Sequence, residues 1–128
     1  GIAIVNARTG LHHSICHKLA PAAGLTHGLA NAIMLPRVLE FNLPAARDEL
    51  IAVARLLGQR NATPESVITA VQELSRLAGL PARLRDVDVP RDIFPGLAQN
   101  ILREPGLAFN PRAVRSAAEI EAILHLAW

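Results

Sequence analysis

Histidine is the side chain whose type and spacing here could do chemistry: four of the chain's five histidines lie in GLHHSICHKLAPAAGLTHGLAN, from Gly10 to Asn31. An imidazole can ligate a divalent metal through a ring nitrogen, and its proton comes and goes near neutral pH, so a cluster can hold an ion or carry protons. His13 and His17 are four residues apart, which on a helix puts both rings on one face, a turn apart. His27 follows Thr26, a residue suited to capping a second helix. The short Pro21-Ala22-Ala23-Gly24 connection is expected to fold His27 back toward the other two. A bare H-x3-H pair is a common accident. The plainer reading has His12 in solvent, His17 satisfying a backbone carbonyl and His27 merely following its cap, but it gives no account of so many histidines in an Ala/Leu-rich segment. The metal reading in turn lacks an oxygen ligand, because the acids nearest in sequence, Glu40 and Asp48, have no obvious route to the cluster. Cys16 points about 100° away from His17 around a helix, so it is expected to pack in a core and not to ligate.

The elements that must position these rings read as helices. Apolar residues at Ile4, Val5, Leu11, Ile15 and Leu19 suit a buried helix over Ile2 to Lys18, with Gly10 where another backbone passes closely and Pro21 as the stop. Thr26 caps a second helix carrying Leu29, Ala30, Ile33, Met34, Val38 and Leu39, which Pro36 is expected to kink or split. After a break at Asn42-Leu43-Pro44, a third helix over Ala45 to Leu57 has Leu50, Ile51, Val53, Ala54 and Leu57 on one side, and Gly58 ends it. Thr63-Pro64-Glu65-Ser66 is a helix start: a capping threonine, proline at the first helical position and an acid beside the positive end of the helix dipole. That helix runs through Val67, Ile68, Val71, Leu74 and Leu77 to Gly79. Arg83 to Val89 reads as a loop, Ile93 to Arg103 as a helix, and Ser116 with Glu119 as the capping box of a last helix bearing Ile120, Ile123, Leu124 and Ala127. His125, on that last helix, is expected in solvent. No period-2 stretch, hairpin signal or repeat is present, so the chain is expected to be all-α, with five to seven helices.

Composition bounds the partners. At 128 residues the chain fits one helical domain, residues 1–128. Apolar residues make up 51%, mostly Ala and Leu, which argues against disorder and for helix. The formal charge of +2 is spread without blocks, so neither nucleic acid nor an anionic membrane is expected as a partner. His, Arg or Pro breaks each long apolar run, so no membrane span is expected. One cysteine excludes an internal disulfide and fits a reducing compartment, so the expected location is cytoplasmic. The opening GIAIVNA lacks a helix cap and reads as a helix already under way, so the chain is expected to be a piece of something longer.

GLHHSICHKLAPAAGLTHGLANAIMLPRVLEFN resembles the signature of the iron-containing (group III) alcohol dehydrogenases: a histidine, a second four residues on, and a third ten further, followed by Gly and an Asn-Ala pair. The GLHHxxCH opening, LAGLPARLRDV at Leu77 to Val87 and the NPR-to-LAW ending look most like the maleylacetate reductase branch, whereas THGLANAIMLP is closer to the general alcohol dehydrogenases. The resemblance implies the C-terminal portion of a dehydroquinate-synthase-like helical domain. It implies that His13 and His27 are metal ligands, for Fe2+ or Zn2+, and that His17 is the catalytic residue facing the nicotinamide and substrate, where it relays a proton. It also implies an aspartate and another histidine from an earlier helix, and NAD(P)H held by a preceding nucleotide-binding domain with a glycine-rich turn. Neither that helix nor that turn is in this sequence. In the maleylacetate reductase branch the resemblance allows function without metal.

The resulting expectation is part of a nicotinamide-dependent oxidoreductase acting on a small-molecule substrate, inactive alone and homo-oligomeric when intact. Two other readings stand beside it: a non-catalytic helical module without a working metal site, and a fragment that self-associates because lost neighbours leave the apolar faces of the first two helices exposed.

Overall fold

The computed structural model describes residues 9–128; the part of the expected first helix before Thr9 lies outside the described residues. Within them are six α-helices and no strand, as the all-α expectation requires. We number them α1 (Leu11–Ala23), α2 (His27–Asn42), α3 (Arg47–Leu56), α4 (Pro64–Leu77), α5 (Phe94–Leu102) and α6 (Ala117–Leu126). None is long and apolar enough to cross a membrane.

Helix α1 begins just after Gly10, whose extended backbone takes the N-cap position. Pro21 does not stop it. The proline removes one N–H in the last turn, and the helix ends three residues later at Gly24, which takes the left-handed conformation at φ 64°. Helix α2 starts at Thr26, whose hydroxyl accepts the Leu29 N–H, and it continues through a buried Pro36 as one element, not two. The capping box at Ser116/Glu119 forms as its sequence indicates, and Thr63 caps α4 as expected, with Ser66 returning a bond to the Thr63 N–H. Gly58 and Gly79 close α3 and α4 in the left-handed region. Beyond each, the next N–H reaches back six residues inclusive, from Gln59 to the Ala54 carbonyl and from Leu80 to that of Ser75.

Helices α1 and α2 pack together, as do α3 with α4 and α5 with α6. Helix α2 is the bridge, touching α1, α4 and α6. The main core sits among α1, α2, α5 and α6, with Leu11, Ile15, Leu19, Met34, Phe94, Ile101, Ile120 and Leu124 fully or almost fully removed from solvent. A smaller cluster of Ala46, Leu50, Ala54 and Val67 joins α3 to α4. The segment read as a loop is not featureless: Leu84–Val87 is a 3-10 turn whose Leu84 is buried and donates its N–H to the Ala127 carbonyl at 2.8 Å. Trp128 fastens the same segment, donating Nε1–H to the Val89 carbonyl at 3.0 Å beneath the Arg91 guanidinium.

Exposed apolar surface is not where the self-association reading put it. Helices α1 and α2 bury their apolar faces, whereas Val53, Leu56, Leu57, Leu74, Leu77 and Leu80 are exposed on the α3–α4 pair. The apolar stripes of α3 and α4 are wider than the seam they share, so only the residues along that seam are covered.

Asn110 ties the fold together. Its Oδ1 accepts the Leu11 N–H at 3.2 Å and an Asn42 amide hydrogen at 3.2 Å, while its Nδ2 donates to Asn42 Oδ1 at 2.6 Å and to the Arg112 carbonyl at 2.7 Å. All four of the amide's bonding positions are used. Gly10 is needed beside it, because a Cβ there would lie 3.0 Å from Asn110 Oδ1. Arg112 caps the end of α2, donating to the Phe41 carbonyl at 3.0 Å with its guanidinium over the Phe41 ring.

Replacing Asn110 by Ala strands the Leu11 N–H and the Asn42 amide, so Asn110→Ala is expected to cost about 2–4 kcal/mol. Loss of the exposed Thr63 cap in Thr63→Ala is expected to cost about 1 kcal/mol. Urea unfolding of the two variants, with midpoints in that order, checks the ranking.

Candidate metal centre

Two helices and the turn between them assemble the histidines. On α1, the 3.6-residue period sends Leu11, Ile15, Cys16 and Leu19 into the core and leaves His13 half-buried and His17 exposed at its edge. His27 occupies the first helical position of α2, exposed, immediately after its threonine cap. The turn through Gly24 brings that position back beside α1. The His13 and His17 rings lie 3.9 Å apart between centroids, His13 and His27 5.8 Å, and His17 and His27 5.4 Å.

One ring nitrogen from each of the three comes within 4.8 Å of the others, the one such grouping of His, Cys, Asp or Glu among the described residues. Two nitrogens on a shared metal, each about 2.1 Å from it, can be at most about 4.2 Å apart. The exposed His17 and His27 rings have room to rotate by the small amount that difference requires. The donor set is all imidazole, which suits iron, zinc or another first-row ion, and three ligands leave coordination positions open.

The electrostatics favour a neutral His13 ring. His13 is held below its ordinary pKa of 6.5, first by partial burial and then by the neighbouring His17 and His27 rings, with Glu104 pulling the other way. A neutral imidazole has the lone pair that a metal needs. Glu104 is the carboxylate whose charge reaches His13, in place of Glu40 or Asp48; it is tied to Lys18 at 2.8 Å. It lies far along the chain from the histidines, and no local pattern in the sequence signals its arrival.

The expectations for the remaining candidates divide. His12 is not in solvent: its Nε2 lies 3.2 Å from the Asn31 carbonyl oxygen and 3.6 Å from Cys16 Sγ, and burial lowers its pKa. Cys16 packs in the core, where burial pushes its thiol up to about 12, so it is inert. His17 contacts its neighbouring rings, not a backbone carbonyl. His125 is exposed, with Arg91 3.1 Å from its Nδ1. A groove of about 270 Å³ between α2 and α4, lined by Ile33, Pro36, Arg37, Ser75, Arg76 and Leu80 among others, has no histidine in its walls.

The low pKa values of His12 and His13 set a pH dependence. Below about pH 6.5 the unfolded chain takes up protons that the folded rings resist, so metal-free stability falls as pH is lowered through that window. The lowered carboxylates Glu65 and Glu73 act in the same direction but only below 4.5. Thermal unfolding in a chelator should show a melting temperature that drops from about pH 8 to about pH 5.5, and the double variant His12→Gln/His13→Gln should flatten that slope.

Comparison with known proteins gives this cluster a context. The family model for the Fe-containing alcohol dehydrogenase family, C-terminal, matches residues 1–128. The chain is 35% identical to 1,3-propanediol dehydrogenase of Klebsiella pneumoniae over 135 residues, covering all of this chain and 34% of that protein. The structure of an alcohol dehydrogenase from Oenococcus oeni superposes with a TM-score of 0.91 at 28% identity, over all of this chain and 35% of the other. Maleylacetate reductase from Rhizobium sp. strain MTP-10005 superposes with a TM-score of 0.75 at 28% identity, over 93% of this chain and 31% of the other. The chain thus spans about a third of the length of the curated relatives it matches.

Proposed function

The chain belongs to the Fe-containing alcohol dehydrogenase family, and from that premise we propose that residues 1–128 are one helical domain that forms the C-terminal part of a nicotinamide-dependent oxidoreductase. Its reaction interconverts a small carbonyl compound and the corresponding alcohol, or reduces a C=C bond as the maleylacetate reductase relative suggests by its name. The observation that carries this reading is the convergence of His13, His17 and His27, from two helices, on a space one ion could fill.

In this reading His13 and His27 hold Fe2+ or Zn2+ through a ring-nitrogen lone pair each, and His17 moves a proton. A bound ion supplies Lewis acidity toward the substrate oxygen. The exposed His17 ring can accept a proton at one nitrogen while releasing one from the other, and its place beside His13 puts it at the edge of any substrate held there. His13 is half-buried, whereas the exposed His17 and His27 leave the cluster open to a substrate. Binding of NADH or NADPH falls to a nucleotide-binding part outside these residues. The cytoplasm suits the chain's single, reduced thiol.

Metal analysis after dialysis tests the assignment. His13→Ala and His27→Ala are expected to lose bound iron or zinc, while His17→Ala keeps it and loses at least about 100-fold in turnover of the intact enzyme. Metal lost equally from all three variants would make His17 a third ligand and remove its separate role. The 128-residue chain by itself is expected to show no NADH- or NADPH-dependent reductase activity, and measurable activity would overturn the division of labour.

The exposed apolar ridge on α3 and α4 favours a second reading for the isolated chain, self-association. Light scattering should then give a mass above one chain, and a clean monomer at high micromolar concentration would argue against it.

A further inference from the structure

His12 has no chemical role in the reading above, yet it joins the two helices that carry the cluster. Its Nε2 lies 3.2 Å from the Asn31 carbonyl oxygen. A carbonyl only accepts, so Nε2 carries the ring proton and donates it, and Cys16 Sγ at 3.6 Å lies beside the same nitrogen. Among the described residues this is the one hydrogen bond that runs directly from α1 to α2. Its ends are placed where they matter. On α1 it is anchored at the residue before His13, and on α2 at the residue one turn beyond His27.

Beside this bond and the contacts of the His13 and His17 rings with His27, α1 and α2 meet through apolar packing around Ile15, Leu19, Ala30, Ile33 and Met34. Apolar burial is non-directional, so it holds helices together without fixing their slide or roll as sharply as one donor aimed at one acceptor. The nitrogens of His13 and His27 belong to different helices and must come within about 4.2 Å to share an ion. An ångström of slide is enough to decide whether they do.

We propose that His12 is a positioning residue: its Nε2–H to Asn31 carbonyl bond sets the register of α1 against α2 that lets His13 and His27 meet one metal ion. This rests on the metal reading of the cluster. The test uses the full-length protein loaded with Co2+, with affinity measured by competition against a chelator and the site followed by its visible absorption. His12→Phe keeps a ring of similar size and removes the donor. His12→Gln keeps an N–H able to reach Asn31.

The expected result is that His12→Phe weakens Co2+ binding by about 10- to 100-fold and alters the absorption bands, while His12→Gln returns to within a few-fold of the parent protein. A folded His12→Phe that binds Co2+ with parental affinity and spectrum, whatever its melting temperature, overturns the proposal. So does a folded His12→Gln as impaired as His12→Phe. If His12→Phe does not fold, His12→Asn, too short to reach the carbonyl, takes its place with the same expected loss. A parent protein that takes up no Co2+ overturns the metal reading itself, an outcome distinct from parent and variant binding alike.

Discussion

The side-chain amide of Asn110 is the contact on which the placement of the histidines depends. It is the point where the start of α1, the end of α2 and the segment leading to α6 are bonded to one another. A helix start has N–H groups with no partner inside the helix, and at Leu11 that debt is met by a side chain from the far end of the chain. The consequence is geometric. His12, His13 and His17 follow within two turns of Leu11, so fixing the first turn fixes the direction in which all three rings leave α1. The close fit of Gly10 against the Asn110 side chain, and of Gly106 against the Ser14 hydroxyl and the Thr9 carbonyl, leaves no room for a Cβ at either glycine in this region.

Helix α1 then does two jobs with one period. Its inward positions supply part of the main core, and the positions at the edge of that stripe supply the imidazoles. Partial burial at that edge lowers the His13 pKa without removing the ring from reach, and proximity of the other rings adds to the effect. In the proposed metal reading, a fully buried cluster would lie out of a substrate's reach, and a fully solvated one would lose more affinity to protons. The half-buried edge of an apolar helix avoids both extremes.

What the sequence disclosed follows from range. Caps at Thr26, Thr63 and Ser116 and left-handed glycines at Gly58 and Gly79 are decided within a turn of chain, and they form where the residues indicate. The His13/His17 spacing is equally local, and the return of His27 needed only one short turn. What was not legible came from long range. The bond from His12 to Asn31, the approach of Glu104 to His13 and the burial of Leu84 beneath α6 all depend on how helices far apart in sequence pack. Pro21 as a stop and Pro36 as a split misled for another reason: a proline costs a helix one hydrogen bond and a local clash, and packing on both sides of it can exceed that cost.

The exposed leucines of α3 and α4 make the converse point about periodicity. Both stripes were readable, yet a stripe states only which face avoids water, not how much of it a neighbour will cover. Leu50, Ala54 and Val67 are covered because α3 and α4 cover each other along one seam. Leu56, Leu74 and Leu77 belong to stripes wider than that seam. The α1–α2 pair has the opposite balance, since α5 and α6 close over it and its apolar faces are spent in the core. Polar chemistry at that end therefore has to come from the edge of the stripe, and the edge positions that α1 offers there are His13 and His17.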